Sequence, residues 1–493
     1  MRPINKRFIN RKSVVYKEID FNRTIAQLLL ESGIKTTSSE IKNFSKWFIK
    51  DSWDRYQNYC MDQRVIAVNT LNSVHINIPN ATQGKPYKSG IIILPTEMVY
   101  DYEFLGLDVL GLEASCINGQ NEFIIQGNPT KAGDFNIILR CKYLNWQQGS
   151  PLLERKINFA VNPDPRSLWR DIPTHRDIPY YKPDTETAYI KVTAGEDGEP
   201  KKDIVAASNR GRSHAQEGKP RDDHFQLHYC PESEWYIMAV ADGAGSAKYS
   251  RKGSEVACKT VIEFCKEKLS NSENLESLIR SYKFAEVDDE ETARKNLGNE
   301  IYSIVGNASF RAHKAINETA TLSEDKEAKS KDFATTLLLA ICKKFRFGWF
   351  IASFWVGDGA MCIYNNNDQT IKILGVPDEG EFSGQTRFLT MPEIFADYSA
   401  LYRRLRFSIV DDFTALMLMT DGVSDPMFGT DANLNDISKW NELWERLHNG
   451  FPEDGIPGVE LTDDNEDSKN QLLEWLNFWK AGEHDDRTIA ILY

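Results

Sequence analysis

Five short acidic sequences lie against apolar runs in the second half of the chain. Trp235–Ala241 leads into Asp242-Gly243-Ala244-Gly245-Ser246, Phe350–Val356 into Gly357-Asp358-Gly359, and Ala415–Thr420 into Asp421-Gly422-Val423-Ser424-Asp425. Asp222 and Asp223 open the run that ends near Tyr229, and His484-Asp485-Asp486 stands just before Arg487–Tyr493. An aspartate at a strand end has its backbone fixed by the sheet and its carboxylate at the sheet's rim. The glycine beside it permits a tight turn and lets a backbone carbonyl approach a cation. One Asp-Gly is an ordinary turn. Several such carboxylates converging on one place repel one another unless cations lie among them. Hard oxygen donors select Mg²⁺ or Mn²⁺. Two such ions roughly 3.5–4 Å apart hold a bridging water as hydroxide and orient a phosphate for in-line attack.

The elements that must position these acids begin at Asp203. Strands are expected at Ile204–Ala207, Phe225–Tyr229, Trp235–Ala241, Ala334–Cys342, Gly348–Val356, Thr370–Leu374, Thr414–Met419 and Arg487–Leu492. Helices are expected at Glu255–Leu269, Ala293–Asn317, Leu434–Leu447 and Gln471–Lys480. Strands outnumber helices, and several are apolar at successive positions. That suits sheets buried against each other with helices outside, an α+β arrangement. His224 and His228 alternate with Phe225 and Leu227 and are expected to face outward. Trp440, Trp444, Trp475 and Trp479 recur four residues apart and suit core packing.

The order of the motifs resembles the PP2C-type (PPM) metal-dependent protein phosphatases over Asp203–Tyr493. Gly211-Arg212-Ser213-His214, continuing through Gly218-Lys219-Pro220-Arg221-Asp222-Asp223-His224-Phe225, is similar to the opening motif of a bacterial branch of that family. Asp242-Gly243-Ala244-Gly245, Phe333-Ala334-Thr335-Thr336, Gly357-Asp358-Gly359, Thr420-Asp421-Gly422 through Asp425, and Asp485-Asp486-Arg487-Thr488 resemble its later motifs in the same order. The resemblance implies an α-β-β-α sandwich of two antiparallel sheets flanked by helices. It implies hydrolysis of phosphoserine and phosphothreonine in proteins by a metal-bridging hydroxide, with two Mn²⁺ or Mg²⁺ ions and a third, weaker one. Asp242 would bridge both metals, and the Gly243 carbonyl would bind one. Asp223, Asp421 and Asp485 would complete the shells, and Asp358 would help hold the third ion. Thr336 and Asp486 would support them. The family's animal members carry a histidine soon after the Asp-Gly, where this chain reads Ala244-Gly245-Ser246. The family's phosphate-binding arginine has no plain counterpart; of Arg210, Arg212, His214 and Arg221, His214 is the first choice and Arg212 the second.

Before Asp203 the chain changes character twice. Residues 1–74 read as a helical module, with Ile41, Phe44 and Phe48 at helical spacing and a serine before them as the N-cap. Residues 75–163 read as a small β-sandwich, loosely similar to immunoglobulin-like modules, with Phe135, Ile137, Leu139 and Cys141 alternating. Residues 164–202, rich in Pro, Asp and Tyr, read as a linker or an arm on the following domain, 203–493. The 493 residues are too many for one core. A formal charge of −13 with no long basic run argues against nucleic-acid binding. Eight cysteines without a C-x-x-C pair suit reduced thiols rather than a zinc ribbon. No apolar run approaches ~18 residues, so neither a leader nor a membrane span is expected, and a cytoplasmic location is. The expected partner is a phosphoprotein substrate, with a cognate Ser/Thr kinase by analogy alone. Two other functions compete: a catalytically weak phosphoprotein-binding module, and a metal-dependent hydrolase of another phosphoester.

Overall fold

Apolar runs that show no alternation in sequence become strands covered on both faces. Trp235–Ala241 and Gly348–Val356 are buried at every residue. In the first of these, Ile237, Ala239 and Ala241 join one hydrophobic cluster, while Tyr236, Met238 and Val240 join another. That is the period-2 geometry of a strand between two apolar layers. The computed structural model describes residues 23, 24, 26–35, 37–119, 121–193, 201–378 and 386–493. The expected helical module before residue 23, Ile25, and residues 194–200 of the expected arm lie outside them. The chain divides into two compact units, Met1–Leu168 and Trp169–Tyr493.

Among the described residues, the second unit forms two antiparallel sheets. Its strands are β1 (Thr185–Ile190), β2 (Ile204–Asn209), β3 (His224–Cys230), β4 (Trp235–Ala241), β5 (Leu337–Phe345), β6 (Gly348–Val356), β7 (Ala360–Asn365), β8 (Thr370–Ile373), β9 (Leu405–Val410), β10 (Ala415–Met419) and β11 (Arg487–Leu492). One sheet runs β8-β7-β10-β11-β2-β1 and the other β3-β4-β5-β6-β9. Its helices are α1 (Arg212–Glu217), α2 (Ser250–Leu269), α3 (Glu273–Lys283), α4 (Glu290–Ile301), α5 (Asn307–Leu322), α6 (Tyr398–Tyr402), α7 (Asp421–Phe428), α8 (Ile437–Asn449) and α9 (Ser468–Trp475).

Three clusters hold the layers. Ala206, Leu418 and Ala490 of the first sheet share one with Met238, Ala340 and Ile351 of the second. The other face of the second sheet packs on α2 to α5 through residues such as Val261, Ile279, Ile301 and Ile316. The other face of the first packs on α7 to α9 through Val423, Trp440, Leu443, Leu472 and Trp475. Trp440 and Trp475 are therefore core, as their spacing suggested.

Several boundaries differ from the sequence expectation. β1 arises inside the stretch read as a linker or arm; it is an edge strand, half-buried, with no apolar run to announce it. β7 and β9 were not anticipated either. The helix expected over Ala293–Asn317 is α4 and α5 joined by a π-turn at Tyr302–Gly306. α8 starts at Ile437 because the Asp436 carboxylate accepts the Ser438 N–H at 2.9 Å and caps it there.

In the first unit, Ser38–Ser73 is one long helix. Its N-cap is Thr37 rather than a serine. The Glu40 N–H reaches the Thr37 hydroxyl and the Thr37 N–H reaches the Glu40 carboxylate (2.8 Å), a capping box. Two small sheets follow, one built on the paired strands Gly133–Tyr143 and Leu153–Asn162 and the other around Glu122–Gly127. Ala67 and Leu71 of the helix share a core with Ile125, Leu139 and Phe159 of both sheets. The helical and β segments, read from sequence as separate modules, thus share one hydrophobic cluster. No helix among the described residues is long and apolar enough to cross a membrane.

Candidate metal centre

The turn after β4 is built around Asp242. Its N–H donates to the Thr336 hydroxyl (2.9 Å), and its carbonyl accepts the Thr335 hydroxyl (2.7 Å) and the Thr336 N–H (2.8 Å). These bonds delay β5 to Leu337, three residues after the expected start. Gly243 admits no side chain: a Cβ would lie 2.7 Å from the Asp222 carbonyl. Asp421 opens α7 directly after β10, with its carboxylate accepting the Gly422 N–H at 2.6 Å. A Cβ on Gly422 would lie 1.9 Å from the Asp486 carbonyl, so the two acidic turns interlock there.

One carboxylate oxygen from each of Asp242, Asp358 and Asp421 lies within 4.8 Å of the other two. Burial pushes the Asp242 carboxyl well above its usual range, and the charges of Asp421, Asp223, Asp485 and Asp358 push it further. Burial likewise raises Asp421, followed by Asp358, Asp485 and Asp223. Asp223 and Asp485 stand outside the close trio but within its field. Burial and then Asp486 push Asp223 up to about 7. The Asp223 Oδ2 accepts hydroxyl bonds from Thr488 (2.7 Å) and Thr420 (2.9 Å). Its Oδ1, like Oδ1 of Asp358, is buried without a hydrogen-bond partner among the described residues. Oxygen donors alone, raised pKa values and unpartnered carboxylate oxygens are what a hard divalent cation would relieve. The residues fit such an ion.

Asp486 does not join the trio. It accepts the N–H groups of Gly211 (2.6 Å) and Asp222 (2.5 Å) and a weaker one from Asp223 (3.4 Å), tying the loops before α1 and β3 together. The His214 Nδ1 lies 3.1 Å from both its oxygens. Burial opposes charge on His214, but Asp486 outweighs it and lifts the imidazole to about 9. The other ring nitrogen lies 3.7 Å from the Asp222 carboxylate. His214, the first choice for the phosphate contact, thus lies buried between two acids that favour its charged form. Arg212, the second choice, lies against the segment before Lys480. Its guanidinium donates to the carbonyls of Asn477 (2.8 Å) and Phe478 (3.2 Å) and stacks on Trp479. Arg210 is bonded to Asp171 (2.6 Å), and Arg221 to Glu186 (2.6 Å).

Lys182 and Ser254 escape the sequence reading; Thr420 and Asp425 stand in the motif around Asp421 but are given no role there. The buried Lys182 Nζ donates to the Asp223 carbonyl (2.9 Å) and the Ser254 hydroxyl (3.0 Å); Ser254 in turn donates to the Asp222 carbonyl (2.5 Å). Lys182 belongs to a Pro- and Tyr-rich stretch with no motif to mark it. Thr420 was passed over as a strand end. Asp425, one turn into α7, is lifted to about 6 by burial and then by Asp358; its place four residues after Asp421 was the available signal.

The family model for protein phosphatase 2C matches residues 210–477, more than half of the chain. No curated protein matches. Among solved structures, the chain is similar to a bacterial serine phosphatase at 13% identity, covering 59% of this chain and 96% of that one, with a TM-score of 0.33. It is similar to the S. agalactiae serine/threonine phosphatase at 13% identity, covering 59% and 98%, with a TM-score of 0.33. It is similar to serine/threonine phosphatase Stp1 from Staphylococcus aureus at 15% identity, covering 59% and 93%, with a TM-score of 0.32.

Proposed function

Since the chain belongs to the protein phosphatase 2C family, we propose that it hydrolyses phosphoserine and phosphothreonine in proteins at the acidic centre around Asp242, using divalent cations. The observation that carries this reading is the convergence of Asp242, Asp358 and Asp421 from three separate turns to within 4.8 Å. Asp242, Asp223, Asp421, Asp485 and the Gly243 carbonyl would hold two Mn²⁺ or Mg²⁺ ions, and Asp358 with Asp421 a third. When bound, such ions supply Lewis-acid polarisation of a phosphoryl oxygen and make nearby water more acidic.

The protein's own part is orientation. Thr420 and Thr488 fix one oxygen of Asp223 and leave the other free. Asp486, paired with protonated His214, holds the backbone of Gly211, Asp222 and Asp223. Lys182 and Ser254 hold the opposite side of the same loop. The three clusters are the interlayers of an α-β-β-α sandwich, which brings the acidic turns of both sheets to one end. The proposed domain roles follow the division of the chain: Trp169–Tyr493 performs the chemistry, and Met1–Leu168 selects a substrate or partner.

The test is phosphate release from a small aryl phosphate and from phosphoserine peptides, with Mn²⁺ and with chelator. The parent should turn over only with metal, and Asp242→Asn should lose more than about 100-fold while remaining folded. Equal activity of the purified variant would refute the assignment.

A further inference from the structure

A cavity of about 260 Å³ lies beside the acidic centre, lined by Arg387, Arg403 and Arg404 together with Trp355, Asp378 and Glu393. Both its walls are tied to the centre. The Thr386 hydroxyl donates to the Asp358 carboxylate, and Arg387 is the next residue, one Cα step of about 3.8 Å away. On the other wall, the Gly357 N–H donates to the Asp378 carboxylate (2.9 Å), and the Asp378 N–H donates to the Gly357 carbonyl (3.0 Å). Gly357 immediately precedes Asp358.

The three arginines are not equivalent. Arg404 grips both oxygens of Asp378 at 2.6 and 2.9 Å, so this pair is internal. Among the described residues, neither Arg387 nor Arg403 forms an ion pair, and Glu393, the remaining acid on the wall, holds neither. The arginines of the opening motif are engaged elsewhere, as described above. Two guanidinium groups without an ion pair among the described residues thus line a cavity whose walls are bonded to the turn carrying Asp358. A guanidinium presents a planar fork that matches a carboxylate or a phosphate. A chain of net charge −13 repels an acidic substrate at long range, and local cations offset that repulsion where the substrate docks.

The geometry points to an anion-accepting subsite: Arg387 and Arg403 receive an acidic group of the substrate polypeptide, a carboxylate or a second phosphate, close to the phosphorylated residue. This rests on the phosphatase reading and adds a substrate class to it.

The experiment compares kcat/KM, with Mn²⁺, on three phosphoserine peptides: one with neutral flanks, one with Asp and Glu flanks, and one with a second phosphoserine. The parent should prefer an acidic flank by about tenfold, and the more favoured flank identifies the anion. In the Arg387→Ala, Arg403→Ala double variant the ratio should fall to about one, while Arg387→Lys keeps most of it. No preference in the parent, an unchanged ratio in the double variant, or an equal loss on all three peptides would overturn the subsite. If the parent releases phosphate from neither peptide nor aryl phosphate, the phosphatase reading fails instead. Calorimetric binding of the same peptides then decides the subsite alone. Tighter binding of acidic peptides, lost in the double variant, supports it; equal binding refutes it.

Discussion

At the residue scale, the centre depends on carboxylates whose two oxygens have different tasks. The Asp223 Oδ2 is held by Thr420 and Thr488, and this leaves Oδ1 for a ligand. Thr488→Val keeps the shape and removes one of these bonds. It should weaken Mn²⁺ binding by about 10–100-fold and stability by only about 1 kcal/mol, read by calorimetric titration and thermal melting. Unchanged Mn²⁺ affinity would show that the hydroxyl does not orient the acid. The acids themselves were legible in sequence because an apolar strand followed by Asp-Gly marks a strand end, and the fold brings three of them together. His214 was legible as a singular residue but not in its surroundings. Its spacing from Asp222 is local, whereas the Asp486 carboxylate that makes it a cation comes from the far end of the chain.

At the element scale, β1 and the segment before it act as a brace for the β3 end of the centre. Lys182 reaches the Asp223 carbonyl from this segment, so Lys182→Met should impair Mn²⁺ binding although residue 182 is far from every acidic motif in sequence. A variant that binds Mn²⁺ as the parent does would refute the brace. β1 also supplies Glu186 to Arg221, whose side chain is 0% exposed. Burial raises the Glu186 carboxyl, but His224 and Arg221 together hold it down at about 2, against an ordinary value of 4.5. A lowered folded-state pKa gives stability that is complete above about pH 4.5 and fades as pH falls toward 2. Glu186→Gln should therefore cost about 1–2 kcal/mol at pH 7, a figure reduced for the exposure of Glu186. The gap between variant and parent in urea unfolding should close on acidification; a gap constant with pH would contradict the pairing. β1 was illegible because an edge strand needs only one apolar face and its pairing partner, β2, lies beyond a polar stretch. The strands buried on both faces, such as β4 and β6, were the easiest to read, because two apolar layers require an uninterrupted run.

At the scale of the whole molecule, the division at Leu168 separates the acidic centre and all its supports from the first unit. Residues 169–493 alone should fold and hydrolyse a small aryl phosphate at a rate within about twofold of the full chain. Residues 203–493, lacking β1 and Lys182, should not bind Mn²⁺. Loss of activity from the longer fragment would make the first unit part of the catalytic fold. The joint core of the N-terminal helix and the two small sheets was hidden from sequence because Ala67 and Leu71 meet strands more than 50 residues away. The central claim is that acids from separate turns gather divalent cations, and anomalous diffraction at the manganese edge from Mn²⁺-soaked crystals tests it most directly. The account predicts at least two peaks among Asp223, Asp242, Asp358, Asp421 and Asp485, one of them touching the Gly243 carbonyl. Crystals at millimolar Mn²⁺ with no peak between Asp242 and Asp421 would contradict it.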